Sequence, residues 1–293
     1  MHVLVTGATG LVGRPLLRAL AAAGHAVTAV SRRPGRAPLR AVGWDGVPGV
    51  IAEVDAVVNL AGEPVAAGRW TDERKHAIRA SRVDGTRAIV QAMRGATKRP
   101  AVLVNASATG YYGRCGDETV DEGHAAGGDF LATVCKAWEA EAVAAEALGV
   151  RVVRLRTGIV LAADGGALAR MLPPFRACLG GPIGGGAQWM PWIHVDDVCG
   201  LVVAALAGDA WQGAVNATAP EPVRNRDFAH ALGHAVGRPA VLPLPGLVLR
   251  LALGEMATIL LTGQRAVPAA AQRNGYDFRH PTLPEALADC LAR

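Results

Sequence analysis

Three glycines near the start of the chain have the spacing of a phosphate-binding turn. Gly7, Gly10 and Gly13 are three residues apart and follow the apolar run 2–6. Glycine allows a tight turn and a close approach of the backbone to a pyrophosphate, and the unpaired amides of a following helix favour an anion. The spacing predicts a dinucleotide site whose contacts come from one continuous stretch: Gly7, Thr9, Gly10, Leu11, Val12 and Gly13.

The residues after the second apolar run indicate which dinucleotide binds. Residues 26–30 lead into Ser31, Arg32 and Arg33, with no Asp or Glu at that point. In a dinucleotide-binding fold a carboxylate there accepts from the ribose hydroxyls of NAD, whereas a guanidinium pairs with the 2′-phosphate of NADP. The missing acid favours NADP(H). The alternative is that both arginines only solvate a loop.

A turn of small residues follows another apolar run. Asp55 to Val58 lead into Asn59, and Leu60, Ala61 and Gly62 come next. Small side chains at the carboxyl end of a strand leave room for a cofactor, which in open α/β sheets lies outside those ends. We therefore predict that Leu60, Ala61 and Gly62 line the cofactor site.

Strand and helix patterns alternate through the first part of the chain. Strands are predicted at 2–6, 26–30, 55–59, 101–105 and 151–156, and helices at 11–23, 71–93 and 130–148. This alternation predicts an α/β fold, a Rossmann-like doubly wound parallel sheet with a smaller, mostly helical C-terminal lobe.

The predicted division of the chain places an NADP-binding Rossmann domain at residues 1–160, with sheet contributions from about 190–220. Residues 161–293 form the substrate-side lobe, which includes a helical C-terminal domain at about 240–293. Asn225 is predicted to cap a helix that ends at Val236, and Thr282 with Glu285 forms a capping box before the last helix.

Composition narrows the class of protein. The chain has 293 residues, of which 51% are apolar, and a net charge of +5 without a basic run longer than Arg32-Arg33. An anionic small ligand explains this charge, and we expect no nucleic-acid partner. The five cysteines are far apart and form no CxxC pair, so we expect reduced thiols and no metal site.

Targeting and membrane segments are not expected. A strand pattern starts at His2, which leaves no room for a signal peptide. The apolar stretch 244–261 contains Pro245, Arg250 and Glu255 and does not suit a membrane span. The expectation is a soluble, cytoplasmic protein.

Taken together, these motifs resemble the extended short-chain dehydrogenase/reductase superfamily. The segments that carry the resemblance are 7–13, 59–62, 107–113 and 194–198. Within it, Gly62-Glu63-Pro64, Arg69-Trp70, Ser81-Arg82, Trp138-Glu139 and the segment from Pro243 to Gln264 are similar to an atypical branch. Its members are called epimerase family proteins or SulA-like cell-division inhibitors, and they end in a helical domain of unassigned function.

The resemblance covers essentially the whole chain and has specific consequences. It implies NADP(H) binding, with Ser31, Arg32, Leu60, Ala61 and Arg82 around the cofactor. It does not supply a substrate.

The parent chemistry of the superfamily uses a Tyr-x-x-x-Lys pair on one helix face, with a nearby Ser or Thr that steadies the reacting oxygen. In this chain the candidate lysine is Lys136 and the candidate hydroxyl is Ser107, but Ala132 stands where the tyrosine belongs. The usual general acid is therefore missing from its position.

Three interpretations follow. In the first, Tyr111 or Tyr112 replaces the missing tyrosine, and Ser107, Tyr112 and Lys136 form the catalytic set. The alternative role for paired loop tyrosines is packing against the cofactor or the core.

In the second interpretation, His194 or Asp196 transfers the proton, although this segment is ordinarily structural in the superfamily, with the aspartate capping the next helix. A nucleophilic role for Cys135 is a weaker alternative, because buried free cysteines are usually inert. In the third, the chain only binds NADP(H) and has lost the chemistry.

The leading hypothesis is an NADP(H)-dependent oxidoreductase or epimerase-like enzyme with a small polar substrate. The competing hypothesis is a non-catalytic NADP(H)-binding regulatory protein, linked to cell division by the name of the branch. A homodimer is predicted through the helices at 71–93 and 130–148; the alternative roles for the segment 244–261 are covering the cleft and joining a neighbouring chain.

Overall fold

The computed structural model describes residues 1–36 and 39–293. Its strands are β1 (His2–Thr6), β2 (Ala26–Val30), β3 (Ala41–Val42), β4 (Ala56–Asn59), β5 (Val102–Ala108), β6 (Thr119–Val120), β7 (Arg151–Thr157), β8 (Ile159–Leu161), β9 (Trp189–Met190), β10 (Trp192–His194), β11 (Gly213–Ala217), β12 (Val223–Arg224) and β13 (Arg265–Ala266).

The α-helices of the same residues are α1 (Gly13–Ala22), α2 (Val47–Val50), α3 (Asp72–Gly95), α4 (Phe130–Val143), α5 (Gly166–Arg176), α6 (Val195–Ala207), α7 (Asn225–Ala235), α8 (Gly246–Leu253), α9 (Thr258–Leu261), α10 (Ala269–Arg273) and α11 (Leu283–Ala292). Short 3-10 turns include Thr109–Tyr112 and Gly254–Ala257.

The central sheet has seven parallel strands in the order β11-β7-β5-β4-β1-β2-β3. The chain runs outward from β1 through β2 and β3 on one side, and through β4, β5, β7 and β11 on the other. The order therefore reverses between β1 and β4, where open α/β sheets bind their ligands. The predicted Rossmann-like fold is confirmed.

The alternation of side chains along β1 separates two hydrophobic cores. Val3 and Val5 face α1 and α6 and pack with Leu16 and Leu201. Leu4 faces the other side, where it packs in a cluster with the α3 residue Met93. Both faces of the sheet are covered, which explains why its strands read as continuous apolar runs.

Two predicted boundaries differ from the structure near the candidate site. Strand β5 continues to Ala108, so Ser107 is a strand residue and not a loop residue. Helix α4 ends at Val143 and not at 148, because the chain tightens into a 3-10 turn and then reaches Gly149 at φ +80°.

One predicted helix cap is wrong, and a second lacks its predicted hydrogen bond. Arg224, not Asn225, occupies the cap position of α7, and the Asn225 side chain instead accepts a hydrogen bond from the amide of Ile183 at 2.7 Å. Thr282 does cap α11 by position, but its side chain makes no capping hydrogen bond. Local sequence identified the helix starts, whereas tertiary contacts decided what each side chain bonds.

The C-terminal part of the chain builds a third core. Leu168 of α5, Phe228 of α7 and Leu287 of α11 are buried together there. Strand β13 pairs with β6, and Ala270 and Ala271 belong to the main core beside α6 and β11. Across the residues that the structure describes, no helix has the length and apolarity to span a membrane.

Candidate functional site

The three glycines of the first turn lie at the point where the strand order reverses. Gly7 has φ +66°, and a β-carbon on it would lie 2.6 Å from the carbonyl oxygen of Leu60. A β-carbon on Gly13 would lie 2.2 Å from the Gly7 oxygen. Gly10 is exposed and would meet only the Gly7 oxygen, at 3.1 Å. The turn is therefore packed tightly on its inner side and open at Gly10.

Thr6 fixes the end of β4 against the end of β1. Its Oγ1 donates to Asn59 Oδ1 at 2.6 Å and accepts from the amides of Leu60 at 3.1 Å and Ala61 at 3.0 Å. Leu60 and Ala61 therefore offer a ligand their side chains and carbonyls, not their amides. Sequence reasoning missed Thr6; the available signal was a polar residue that ends an apolar strand.

Arg32 lies beyond the end of β2 with its side chain 85% exposed. The Ser31 hydroxyl accepts from the amide of Arg33 at 3.0 Å, which shapes the turn. The one ion pair of Arg32 among the described residues joins its Nη1 to Glu63 Oε1 at 3.5 Å. This guanidinium is free to rotate toward a ligand phosphate.

Arg82 reaches the same region from α3. Its Nη1 donates to the carbonyls of Glu63 and Ile78, each at 3.0 Å, and its Cζ lies 5.2 Å from the Trp138 ring centre. Burial lowers the pKa of this guanidinium. A β-carbon on Gly62 would lie 3.0 Å from the Arg82 Cζ, so the guanidinium packs closely against this glycine. An open glycine turn flanked by two cationic side chains fits a phosphorylated dinucleotide.

Ser107 belongs to a buried ionic network. Its hydroxyl donates to Glu139 Oε1 at 2.7 Å. Arg156 donates to both oxygens of the same carboxylate, at 2.8 and 2.9 Å, and Arg154 Nη1 lies 3.2 Å from it. The sequence analysis named Glu139 only as part of a family motif and gave Arg156 no role in the site, although a charged residue within an apolar strand or helix is a usable signal. The network holds the Ser107 hydroxyl toward α4.

Tyr112 is enclosed by the same network. Its hydroxyl donates to Asn216 Oδ1 at 2.6 Å and accepts from Arg156 Nη1 at 3.1 Å. The residue is only 2% exposed, and burial raises its pKa to about 12. A phenol with both bonds satisfied inside the protein is poorly placed to give a proton to a ligand.

Tyr111 and Lys136 are more exposed than Tyr112. Tyr111 is half-buried, its ring lies 3.5 Å from the Arg156 Cζ, and its hydroxyl makes no hydrogen bond within residues 1–36 and 39–293. Lys136 is exposed on α4 and likewise forms no ion pair in the described part of the chain, while Ala132 is fully buried. The structure thus joins Ser107 to Tyr112 through Glu139 and Arg156 and leaves Lys136 outside that network.

His194 has a structural position at the start of α6. Its Nδ1 accepts from the amide of Asp196 at 3.1 Å, so the histidine caps the helix and the expected aspartate cap is wrong. Arg293 binds the carboxylates of Asp196 and Asp289, and Asp289 Oδ2 lies 3.1 Å from His194 Nε2. Because Nδ1 is an acceptor, the proton of the neutral ring is on Nε2. Among the described residues, Nε2 and Asp289 Oδ2 lack hydrogen-bond partners, and the ion pairs of the cluster are those of Arg293 with Asp196 and Asp289.

Cys135 is 4% exposed on α4. Burial raises the pKa of its thiol to about 11, so the thiolate that nucleophilic catalysis requires is disfavoured.

Fold and site together define a nucleotide-binding short-chain dehydrogenase/reductase with an unusual arrangement around its tyrosines. The chain belongs to the NAD dependent epimerase/dehydratase family, whose pattern matches residues 3–217. Residues 244–290 match a second pattern, the domain of unknown function DUF1731.

Relatives align with nearly the whole chain. The epimerase family protein SDR39U1 homolog, chloroplastic, of Arabidopsis thaliana is 42% identical over 98% of this chain and 86% of its own length. Epimerase family protein Mb2239 of Mycobacterium bovis is 42% identical over 99% of this chain and 98% of its own length. The crystal structure of human epimerase family protein SDR39U1 (isoform 2) with NADPH has a TM-score of 0.93 and 35% identity, and each chain is covered completely.

These findings confirm the epimerase-type family that the motifs indicated. The names of these relatives carry no reference to cell division, so that link stays a prediction.

Proposed function

We propose that the protein binds NADP(H) at the β1–β4 reversal and is an oxidoreductase or epimerase-like enzyme. Its small polar substrate would lie between the Rossmann domain at 1–160 and the lobe at 161–293. The observation that carries the proposal is the glycine turn, open at Gly10, with Arg32 and Arg82 beside it. The NADPH in the human relative supports this choice of cofactor.

Each group around the turn has a role in this proposal. The amides that follow Gly10 would hold the pyrophosphate, and Arg32 with Ser31 would hold the 2′-phosphate. Leu60, Ala61 and Gly62 would pack against the adenosine side. When bound, the nicotinamide supplies or accepts a hydride.

The proposed chemistry also requires a residue that donates the proton. Tyr111 or Tyr112 was predicted as the donor, with Ser107 steadying the reacting oxygen and Lys136 tuning the tyrosine. The hydroxyls of Ser107 and Tyr112, however, donate to Glu139 and Asn216. The hydroxyl of Tyr111 makes no hydrogen bond in the part of the chain that the structure describes, which favours Tyr111 over Tyr112 as the donor. Its ring is held by the guanidinium of Arg156, which would orient it.

A second candidate function is a regulatory protein that binds NADP(H) without turnover. It is favoured by Ala132 in place of the usual tyrosine and by the enclosure of Tyr112. Loss of the acid from a preserved fold is compatible with such a role.

Two measurements on the purified protein separate these functions. NADPH binding is followed by fluorescence, and turnover is followed with a panel of carbonyl compounds and nucleotide sugars, with chromatography to detect epimers formed without net oxidation. Binding with turnover supports the enzyme, and Tyr111→Phe should then reduce the rate far more than Tyr112→Phe. Tight binding without any product favours the regulatory protein. Absence of NADPH binding would refute both.

A further inference from the structure

A carboxylate that the sequence did not anticipate lies beside Arg32. No Asp or Glu directly follows β2, but the turn after β4 brings Glu63 next to Arg32 at the end of β2. Glu63 Oε1 lies 3.5 Å from Arg32 Nη1, and Glu63 Oε2 lies 3.8 Å from Arg74 Nη1. One carboxylate thus faces two guanidinium groups at the edge of the candidate cofactor site.

The backbone of Glu63 is held by hydrogen bonds, whereas the Arg32 side chain is exposed and, among the described residues, has only its pair with Glu63. The Glu63 amide donates to Ser81 Oγ at 3.0 Å, and its carbonyl accepts from Arg82 Nη1 at 3.0 Å. The Glu63 side chain is 35% exposed, whereas that of Arg32 is 85% exposed. A ligand that draws Arg32 away therefore leaves the carboxylate in place.

We propose that Glu63 reduces the selectivity for NADP(H) over NAD(H): its carboxylate accepts from the adenosine ribose hydroxyls of NAD(H) and competes with the 2′-phosphate of NADP(H) for Arg32. The inference rests on the proposed function. It follows because the end of β2 is where a Rossmann-type fold contacts that ribose, and a carboxylate is the group that binds its hydroxyls.

The negative charge of Glu63 affects the binding of NADP(H) and of NAD(H), and both effects lower the preference for NADP(H). A 2′-phosphate must break the Arg32–Glu63 contact and then lies close to a like charge, which weakens NADP(H) binding. An unphosphorylated ribose meets a charged acceptor, which strengthens NAD(H) binding. Glu63 therefore narrows the preference for NADP(H) that Arg32 provides.

The test compares nucleotide affinities of the full chain and its Glu63→Gln variant, which keeps size and shape. Kd values are measured by titration with NADPH and NADH, and with adenosine 2′,5′-bisphosphate and ADP as probes that lack nicotinamide. In Glu63→Gln the ratio of Kd for NADH to Kd for NADPH should rise about fivefold or more, with tighter NADPH and weaker NADH. The bisphosphate and ADP should follow the same pattern.

Two further variants frame the result. Arg32→Ala should weaken NADPH far more than NADH, so the same ratio should fall. Glu53→Gln is the matched control, because Glu53 also pairs with an exposed arginine, Arg40 at 2.7 Å, but precedes β4. It should leave the ratio unchanged.

If Glu63→Gln leaves the ratio of Kd for NADH to Kd for NADPH at its wild-type value, the inference is overturned while the proposed function stands. A ratio that falls would do the same, since Glu63 would then orient Arg32 for the phosphate. A wild-type chain that binds neither nucleotide would overturn the proposed function, and this inference with it.

Discussion

At the residue scale, the three glycines of the first turn differ in what surrounds their missing β-carbons. Side chains at Gly7 and Gly13 would collide with backbone atoms of the turn or of the end of β4. A side chain at Gly10 would touch only the Gly7 carbonyl oxygen, 3.1 Å from its β-carbon, and would otherwise project outward to where a pyrophosphate is expected. Gly10 is therefore the position where cofactor binding can be removed while the fold is kept.

Gly10→Val should abolish measurable NADPH binding, because its methyl groups would occupy the pyrophosphate position. The melting temperature without cofactor should change little, since Gly10 is exposed. Gly95→Val, at the end of α3 with open space around it, is the matched control. Unchanged affinity in Gly10→Val would mean that the glycine stretch is only a turn.

At the element scale, Glu139 and Arg156 tie α4 to strands β5 and β7. Both side chains are almost fully buried, and the carboxylate accepts from Ser107 on β5 and from Arg156 on β7. A buried ion pair of this kind contributes little net stability compared with apolar packing, but removing one partner leaves the other charge uncompensated.

Glu139→Gln should consequently lower the free energy of unfolding by about 3 kcal/mol or more. Glu141→Gln in the same helix breaks only the contact with half-exposed Arg87 and should cost at most about 1 kcal/mol. Denaturant unfolding of both variants measures the difference. Equal losses of unfolding free energy in the two variants would show that the buried network contributes no more to stability than the half-exposed pair.

A second element-scale effect concerns pH and the start of α6. Burial and then the adjacent His280 hold the pKa of His194 below its ordinary value of 6.5, against the opposing carboxylates of Asp196 and Asp289. Between the lowered pKa and 6.5 the folded chain binds fewer protons at His194 than the unfolded chain does. Its contribution to stability is therefore present above pH 6.5 and is lost as the pH falls.

His194→Asn tests this contribution, because asparagine caps helices well and does not titrate. The stability of the variant should decline less steeply than that of the wild type as the pH falls below 6.5. His230→Asn, on the exposed side of α7, serves as the control and should follow the wild-type curve. Identical curves for all three proteins would contradict the role of His194.

At the scale of the whole molecule, the C-terminal segment is part of the same structure as the sheet. Ala270 and Ala271 are buried in the main core, and the Asp197 carboxylate accepts from the amides of Arg279 and His280. Lys75 of α3 forms an ion pair with Glu255. The region matched by DUF1731 therefore contributes to the packing of the Rossmann part.

A chain that ends at residue 243 should lose cooperative unfolding. It would expose the apolar faces that α10 and α11 cover, and each lost large side chain removes about 1.5–3 kcal/mol from a total stability of about 5–15 kcal/mol. Thermal melts followed by circular dichroism check this outcome. A shortened chain that melts at the wild-type temperature would show that the segment is an independent unit. The homodimer and the cytoplasmic location stay predictions at this scale.

The sequence by itself determined the elements and predicted the glycine turn as the cofactor site. Glycine spacing and apolar periodicity are local properties, and they were sufficient to predict the parallel sheet and the junction at residues 7–13. The missing acid and the arginines after residue 30 predicted the preference for NADP(H). They failed where helix ends and caps depend on neighbours, as at Asn225 and His194.

Only the tertiary structure decided which polar groups meet. Arg32 and Glu63 are 31 residues apart, Ser107 and Glu139 are 32 apart, and Tyr112 and Asn216 are 104 apart. Such contacts depend on strand order and on side-chain direction, which no local pattern contains. For that reason the missing acid directly after β2 could only predict Arg32 as a phosphate ligand, while Glu63, the acid that lies beside Arg32, came into view only in the folded chain.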